Sequence, residues 1–123
     1  ILYRANTDSQ AYRFAKIAYN LAWLAKNSVA ESLVESVPGI SSIVLYGSYA
    51  KGENDSHSDL DLLTISSANE VDTSDIEKRL GIEVNVMNLS RVGWTRLAKN
   101  NRAFYLDVIT EGIVLFGTRP VVI

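Results

Sequence analysis

No cysteine occurs in the 123 residues of this chain, so neither a disulfide nor a thiolate zinc site is available. No stretch is long and apolar enough to span a membrane, and no signal-peptide pattern is present, which together point to the cytoplasm. Net charge is small, with 12 lysines and arginines against 14 acids. A formal net charge of −2 gives no general electrostatic footprint for nucleic acid, so any DNA contact has to be local or come through another domain. The only histidine, His57, lies in a polar stretch, and no Ser-His-Asp arrangement can be assembled around it. It reads as a solvated loop residue ahead of a catalytic base. Internal repeats and low-complexity tracts are also absent. What remains is 47% hydrophobic, enough for one domain with a single core.

Chemistry concentrates between Leu45 and Leu63. The apolar run Ile43, Val44, Leu45, Tyr46 stops at Gly47-Ser48, as where a buried strand delivers a small turn whose N–H groups can face an anion. Asp59 and Asp61 follow, alternating with Leu60 and Leu62, so on a strand both carboxylates share one face. Like charges so placed repel unless a cation compensates them. Oxygen ligands of this kind suit Mg²⁺, which takes one or two carboxylates and fills its remaining positions with water and substrate phosphates. The plainer explanations are Ser48 as a helix cap and the two aspartates as a solvated strand face. Lys51, inside the loop, is a flexible point charge suited to phosphate.

The Gly-Ser turn followed by Asp-Leu-Asp resembles the signature of the DNA polymerase beta-like nucleotidyltransferases, especially their minimal single-domain members, over roughly Ile40 to Gly117. The resemblance implies that Gly47 and Ser48 hold the nucleotide triphosphate and that Asp59 and Asp61 bind two Mg²⁺ ions. The substrate would be an NTP, ATP foremost, and the acceptor a hydroxyl. The family pattern also calls for a third carboxylate on a later strand, and here the chain departs from it. In the common register that acid falls at Asn85, within Ile82 to Leu89. Glu83 lies two residues earlier on the same face and is the alternative third ligand. Because two-metal catalysis divides work between the ions, loss of the third acid weakens transfer more than nucleotide binding.

Along the chain the pattern is α/β, of the α+β type. Thr7 and Asp8 offer caps for a long helix from about Ser9 to Lys26, and a second helical stretch reaches Val37 before Pro38-Gly39. Strands are expected at Ser42 to Tyr46, Leu60 to Ile65, Glu83 to Leu89 and Ile113 to Phe116. Helices are expected from Thr73 or Ser74 to Leu80, after Ser90 to Lys99, and from Arg102 to Thr110. The family fold implied is a mixed, twisted sheet with helices mainly on one face. Domain limits are drawn at residues 1–39 for the helical segment, 40–117 for the nucleotidyltransferase core and 118–123 for a tail. Arg91, Arg96, Lys99 and Arg102 form a run of cations free of acids, read as a helix surface or as partners for pyrophosphate.

The first helix is apolar on two sides. Phe14, Ile17, Leu21 and Leu24 make one face and Tyr12, Tyr19 and Trp23 another, which favours a homodimer or a further domain on the second. The opening Ile1 to Asn6 resembles the strand and linker that follow a winged-helix domain in some fusions with nucleotidyltransferase modules. The chain begins with Ile and is expected to be a fragment, with any DNA contact made through a domain outside it. Besides an active transferase, two readings stand: a nucleotide-sensing or dimerising regulatory module with little turnover, and an antitoxin-type enzyme adding AMP to a partner protein.

Overall fold

The computed structural model describes residues 9–123, and the opening Ile1 to Asp8, with its expected cap and linker, lies outside them. Ser9 caps the first helix, α1 (Gln10–Lys26), by accepting a hydrogen bond from the Tyr12 N–H at 3.1 Å. The chain then breaks at Asn27-Ser28, where Ser28 takes a left-handed conformation, and α2 (Val29–Ser36) follows. Next come β1 (Ser42–Tyr46), a single turn α3 (Ser48–Lys51) and β2 (Leu60–Ile65). The remainder alternates as α4 (Ser74–Leu80), β3 (Val84–Leu89), α5 (Arg91–Asn100), α6 (Arg102–Glu111) and β4 (Ile113–Gly117).

The strands form one mixed sheet in the order β3-β2-β1-β4. β1 pairs antiparallel with both β2 and β4, while β3 runs parallel to β2. The parallel pair needs a crossover connection, and α4 supplies it. Strand alternation sorts the side chains into two cores. Ile43, Leu45, Leu60, Leu62 and Val84 face the side covered by α1 to α4, where Leu24, Val29, Leu33, Tyr49 and Ile76 meet them. Val44, Leu63 and Ile65 face the other side, against Trp94 and Ala98 of α5 and Tyr105 and Val108 of α6. Among the described residues, four helices thus cover one face and two the other. Polar side chains are buried only where they are paired. Thr64 and Ser66 both donate to the Asn88 side-chain oxygen at 2.8 and 2.6 Å, and the Asn88 amide donates to the Ala68 carbonyl at 2.7 Å.

The two faces expected of α1 are corrected by the packing. Trp23 turns inward and stacks on Tyr49, with ring centroids 6.0 Å apart and planes 18° from parallel. Phe14, assigned above to the inner stripe, is 60% exposed, and Tyr19 is 71% exposed. The outward face carries Phe14 and Tyr19 with Ala11, Ala15, Ala18, Ala22 and Ala25, all exposed. Alanine obscured this face in the sequence because it is weakly hydrophobic and equally at home in any helix position. Among the described residues, no helix is long and apolar enough to cross a membrane.

Candidate active site

β1 ends at Tyr46 and the chain turns sharply at Gly47, whose backbone (φ 76°, ψ −155°) lies where side chains are not tolerated. The turn delivers α3, with Gly47 rather than Ser48 as its N-cap and no side-chain capping bond. The Ser48 hydroxyl is therefore not used as a cap, and the first N–H groups of the turn have no intrahelical acceptor. A β-carbon at Gly47 would collide with the Asp61 carboxylate. The turn and the acid are thus in immediate contact.

Across the sheet, Tyr46, Asp61 and Asn85 occupy one row, Asp61 pairing with Tyr46 on β1 and with Asn85 on β3. Alternation puts this row on the face covered by α5 and α6. The Asn85 amide donates to Asp61 Oδ1 at 3.3 Å and reaches Asp59 Oδ2 at 3.5 Å. Burial raises the Asp61 pKa, the Asn85 hydrogen bond offsets part of that rise, and the nearby Asp59 charge adds to it. Tyr46 is raised as well, first by burial and then by Asp61. Its ring meets Phe104 of α6 edge-on, with centroids 5.4 Å apart. These contacts place α6 beside the acid pair.

Glu83 lies just before β3, where its carbonyl accepts from the Leu60 N–H at 3.0 Å, and its side chain is exposed. Among the described residues no three carboxylate, histidine or cysteine side chains are gathered as a metal cage, so Glu83 is not brought together with Asp59 and Asp61. The third place beside the pair is held by Asn85. Lys51 is engaged by Asp107 of α6 at 3.0 Å, a hydrogen-bonded pairing that raises the lysine pKa. His57 is exposed, and its backbone N–H donates to Asp55 Oδ1 at 2.9 Å. That bond, with one from Ser58, lowers the Asp55 pKa. Arg91, Arg96 and Lys99 line a groove of about 500 Å³ on α5 with Val92 and Thr95, whereas Arg102 lies over the Tyr105 ring at 5.3 Å.

Sequence reasoning missed Asn20 and Asn54, which bind each other beneath the loop. A buried asparagine in an apolar helix is the only signal that could have flagged Asn20.

The donor set fits a hard divalent cation carried in with phosphates. Two carboxylates converge with only the Asn85 amide N–H donating to them, their repulsion is uncompensated by Lys51, and anion-seeking N–H groups adjoin them. A mixed sheet that presents this acid pair beside a Gly-Ser turn is the framework of a nucleotidyltransferase of the polymerase beta type. The polymerase beta nucleotidyltransferase family matches residues 28–120, and the chain belongs to it. Solved structures agree on the fold. A toxin-antitoxin structure with AMP-PNP is 22% identical with a TM-score of 0.58, over 76% of this chain and 73% of that one. A mutant of the toxin-antitoxin MntA-HpeT gives 21% identity and a TM-score of 0.55 over the same shares. A second mutant of MntA-HpeT gives 19% identity and a TM-score of 0.58, again over 76% of this chain and 73% of that one. No curated protein matches the chain.

Proposed function

We propose that this domain binds a nucleoside triphosphate with Mg²⁺, ATP foremost, and transfers the nucleoside monophosphate to a hydroxyl, releasing pyrophosphate. The observation that carries the reading is the contact between the Gly47 turn and the Asp61 carboxylate, which sets anion-binding N–H groups against a metal-binding acid. Gly47 and Ser48 hold phosphate oxygens through the backbone at the start of α3 and the free Ser48 hydroxyl. Asp59 and Asp61 hold the metal, whose contribution when bound is to neutralise the triphosphate and stabilise charge on the transferring phosphorus. Asn85 orients the two carboxylates through its amide N–H groups. Glu83, exposed and apart from the pair, takes no part in holding the metal in this reading. Lys51 reaches phosphate by exchanging its partner Asp107. The consequence of an amide in the third acidic position is a site stronger in binding than in turnover.

A second reading is favoured by the toxin-antitoxin structure determined with AMP-PNP, which shares this fold. In it the hydroxyl belongs to a partner protein, and the domain acts as an antitoxin adding AMP. The exposed aromatic and alanine face of α1 supplies an association surface in either case, for a second copy or for a further domain that makes any DNA contact. The setting is the cytoplasm.

The test is calorimetric titration of the chain with ATP, with and without Mg²⁺, beside an Asp59→Ala, Asp61→Ala double variant. Metal-dependent binding that the variant lacks is the expected result. Equal heats from both proteins would leave the acid pair without a role.

A further inference from the structure

Helix α1 precedes the segment matched by the family, residues 28–120, yet it is bolted to the loop that carries the candidate nucleotide site. Asn20 is 2% exposed. Its Nδ2 donates to the Tyr49 carbonyl at 3.0 Å and to Asn54 Oδ1 at 2.8 Å, and its Oδ1 accepts from Asn54 Nδ2 at 3.4 Å. Seven residues earlier on the same helix, Arg13 Nε donates to the Lys51 carbonyl at 3.1 Å. Between these bonds Gly52, at φ +69°, rests on the Arg13 backbone so closely that a β-carbon there would lie 2.6 Å from its carbonyl oxygen. Trp23 closes the contact from the next turn by stacking on Tyr49.

The bonds answer a need created by α3 itself. A helix of four residues leaves its last carbonyls without intrahelical donors, and Asn20 and Arg13 supply donors to two of them. Leucine at position 20 would fit an apolar helix but would strand the Tyr49 carbonyl and the Asn54 amide beneath it. The segment so held runs directly into Asp55 to Ser58 and then Asp59.

We propose that Asn20 is a positioning residue for nucleotide binding. Acting through Tyr49 and Asn54, it fixes the chain between Ser48 and Asp59, which makes α1 a working part of the site and not a spacer ahead of it. The inference rests on the reading of Gly47, Ser48 and Asp59 as a nucleotide site.

The experiment is titration of the full chain with ATP and Mg²⁺ for the wild type, Asn20→Ala, Asn54→Ala and their double variant. Circular dichroism sets the temperature so that each protein is fully folded. Either single variant should bind about tenfold more weakly, the loss typical of removing a supporting contact. The double variant should be little worse, because both changes remove one shared interaction. Asn54→Asp keeps an acceptor for Asn20 Nδ2 but loses the donor to Asn20 Oδ1 and buries a charge, so it should bind more tightly than Asn54→Ala and more weakly than wild type, a partial rescue that a general loss of packing would not show. Ala25→Ser, on the outer face of the same helix, should bind as wild type does. If Asn20→Ala does not fold, Asn54→Ala and Asn54→Asp carry the comparison. Folded variants that melt lower but bind ATP as tightly as wild type would overturn the proposal and leave the nucleotide reading intact. A wild type that binds no ATP would overturn that reading and this inference with it.

Discussion

Asn85 stands opposite Asp61 across the parallel strand pair and donates its amide to Asp61 at 3.3 Å while reaching Asp59 at 3.5 Å. In the absence of a cation this amide is the only neighbour in the row that eases two adjacent negative charges, since Tyr46 on the other side is half-buried and neutral. An acid in the same place would do the reverse, adding a like charge to the cluster.

Asn85→Asp therefore lowers the stability of the metal-free protein, by about 1 kcal/mol for a like charge placed directly opposite another. Mg²⁺ should raise the melting temperature of this variant by several degrees more than that of the wild type. Single-turnover assays should show transfer gaining about tenfold, the scale of a metal-supporting contact. A variant whose melting ignores Mg²⁺ would remove Asn85 from any account of the metal site.

Asp61 gives a pH dependence of definite sign. Burial raises its folded pKa above the unfolded value of 3.8, with Asp59 adding to the rise, so the native state holds the proton more tightly. Stability from this group is therefore present below the unfolded pKa and is lost as pH climbs through the folded one. Asp61→Asn removes the titration. Its melting temperature relative to wild type should grow between about pH 3.5 and pH 7 as the cost of burying the charge is relieved, by a small amount because solvent screens this partly exposed carboxylate. A difference that is flat with pH would assign the charge cost elsewhere.

Much of this arrangement was legible because alternation and punctuation are local. Gly47, Pro38-Gly39 and Ser90 mark element ends in the chain itself, and β1 and β2 fall at Ser42–Tyr46 and Leu60–Ile65, as their apolar runs indicate. The register that puts Asn85 beside Asp61 is likewise set by two short hydrophobic strands with little freedom to slip. What could not be read were pairings across long sequence separations. Lys51 finds Asp107 on a distant helix, and Asn20 finds Asn54 34 residues away. Trp23 was placed outward because helical spacing gives faces but not which of two apolar faces meets the sheet. The core settles that choice through Tyr49, a partner contributed by another element.

The Lys51 pairing sets a competition. The ion pair is partly exposed, with side chains 28% and 37% accessible, so it contributes less than about 1 kcal/mol to stability. Asp107→Asn should leave folding nearly unchanged and free the lysine for phosphate, tightening Mg-ATP binding about threefold for one added charged contact. Lys51→Met should weaken binding by a similar factor. Calorimetry on both variants checks this, and parallel losses in the two would show that the pair serves the loop's shape instead.

Association through α1 should depend on the side chains that point away from the domain. Phe14→Ser and Tyr19→Ser together remove the exposed aromatics and should shift sedimentation toward the monomer if a second copy occupies this face. Trp23→Ala should leave association unchanged but cost about 2–3 kcal/mol, because its partly buried ring stacks on Tyr49 against the core. Dissociation by Trp23→Ala alone, with folding intact, would reverse this assignment of faces.

Gly47 joins backbone strain to site chemistry, and Gly81 serves as a control for positive φ alone. Both have positive φ, 76° and 70°, but Gly81 is left-handed helical at ψ 22° with nothing within 4 Å of a β-carbon, whereas Gly47, at ψ −155°, lies in a region open to glycine alone and a β-carbon there runs into the Asp61 carboxylate. Gly81→Ala should therefore cost only the strain of a left-handed alanine, about 1 kcal/mol, and leave Mg-ATP binding unaffected. Gly47→Ala adds displacement of Asp61 and should lose about 10–100-fold in Mg-ATP affinity, the scale of a disturbed metal ligand. Its stability cost should reach about 2–4 kcal/mol, and combining it with Asp61→Ala should recover part of that, since the colliding carboxylate is gone. Recovery in the double variant, read from denaturant midpoints, ties the penalty to the contact between turn and acid. If the two substitutions simply add, the backbone at Gly47 carries the whole cost, and the turn and the metal ligand act independently.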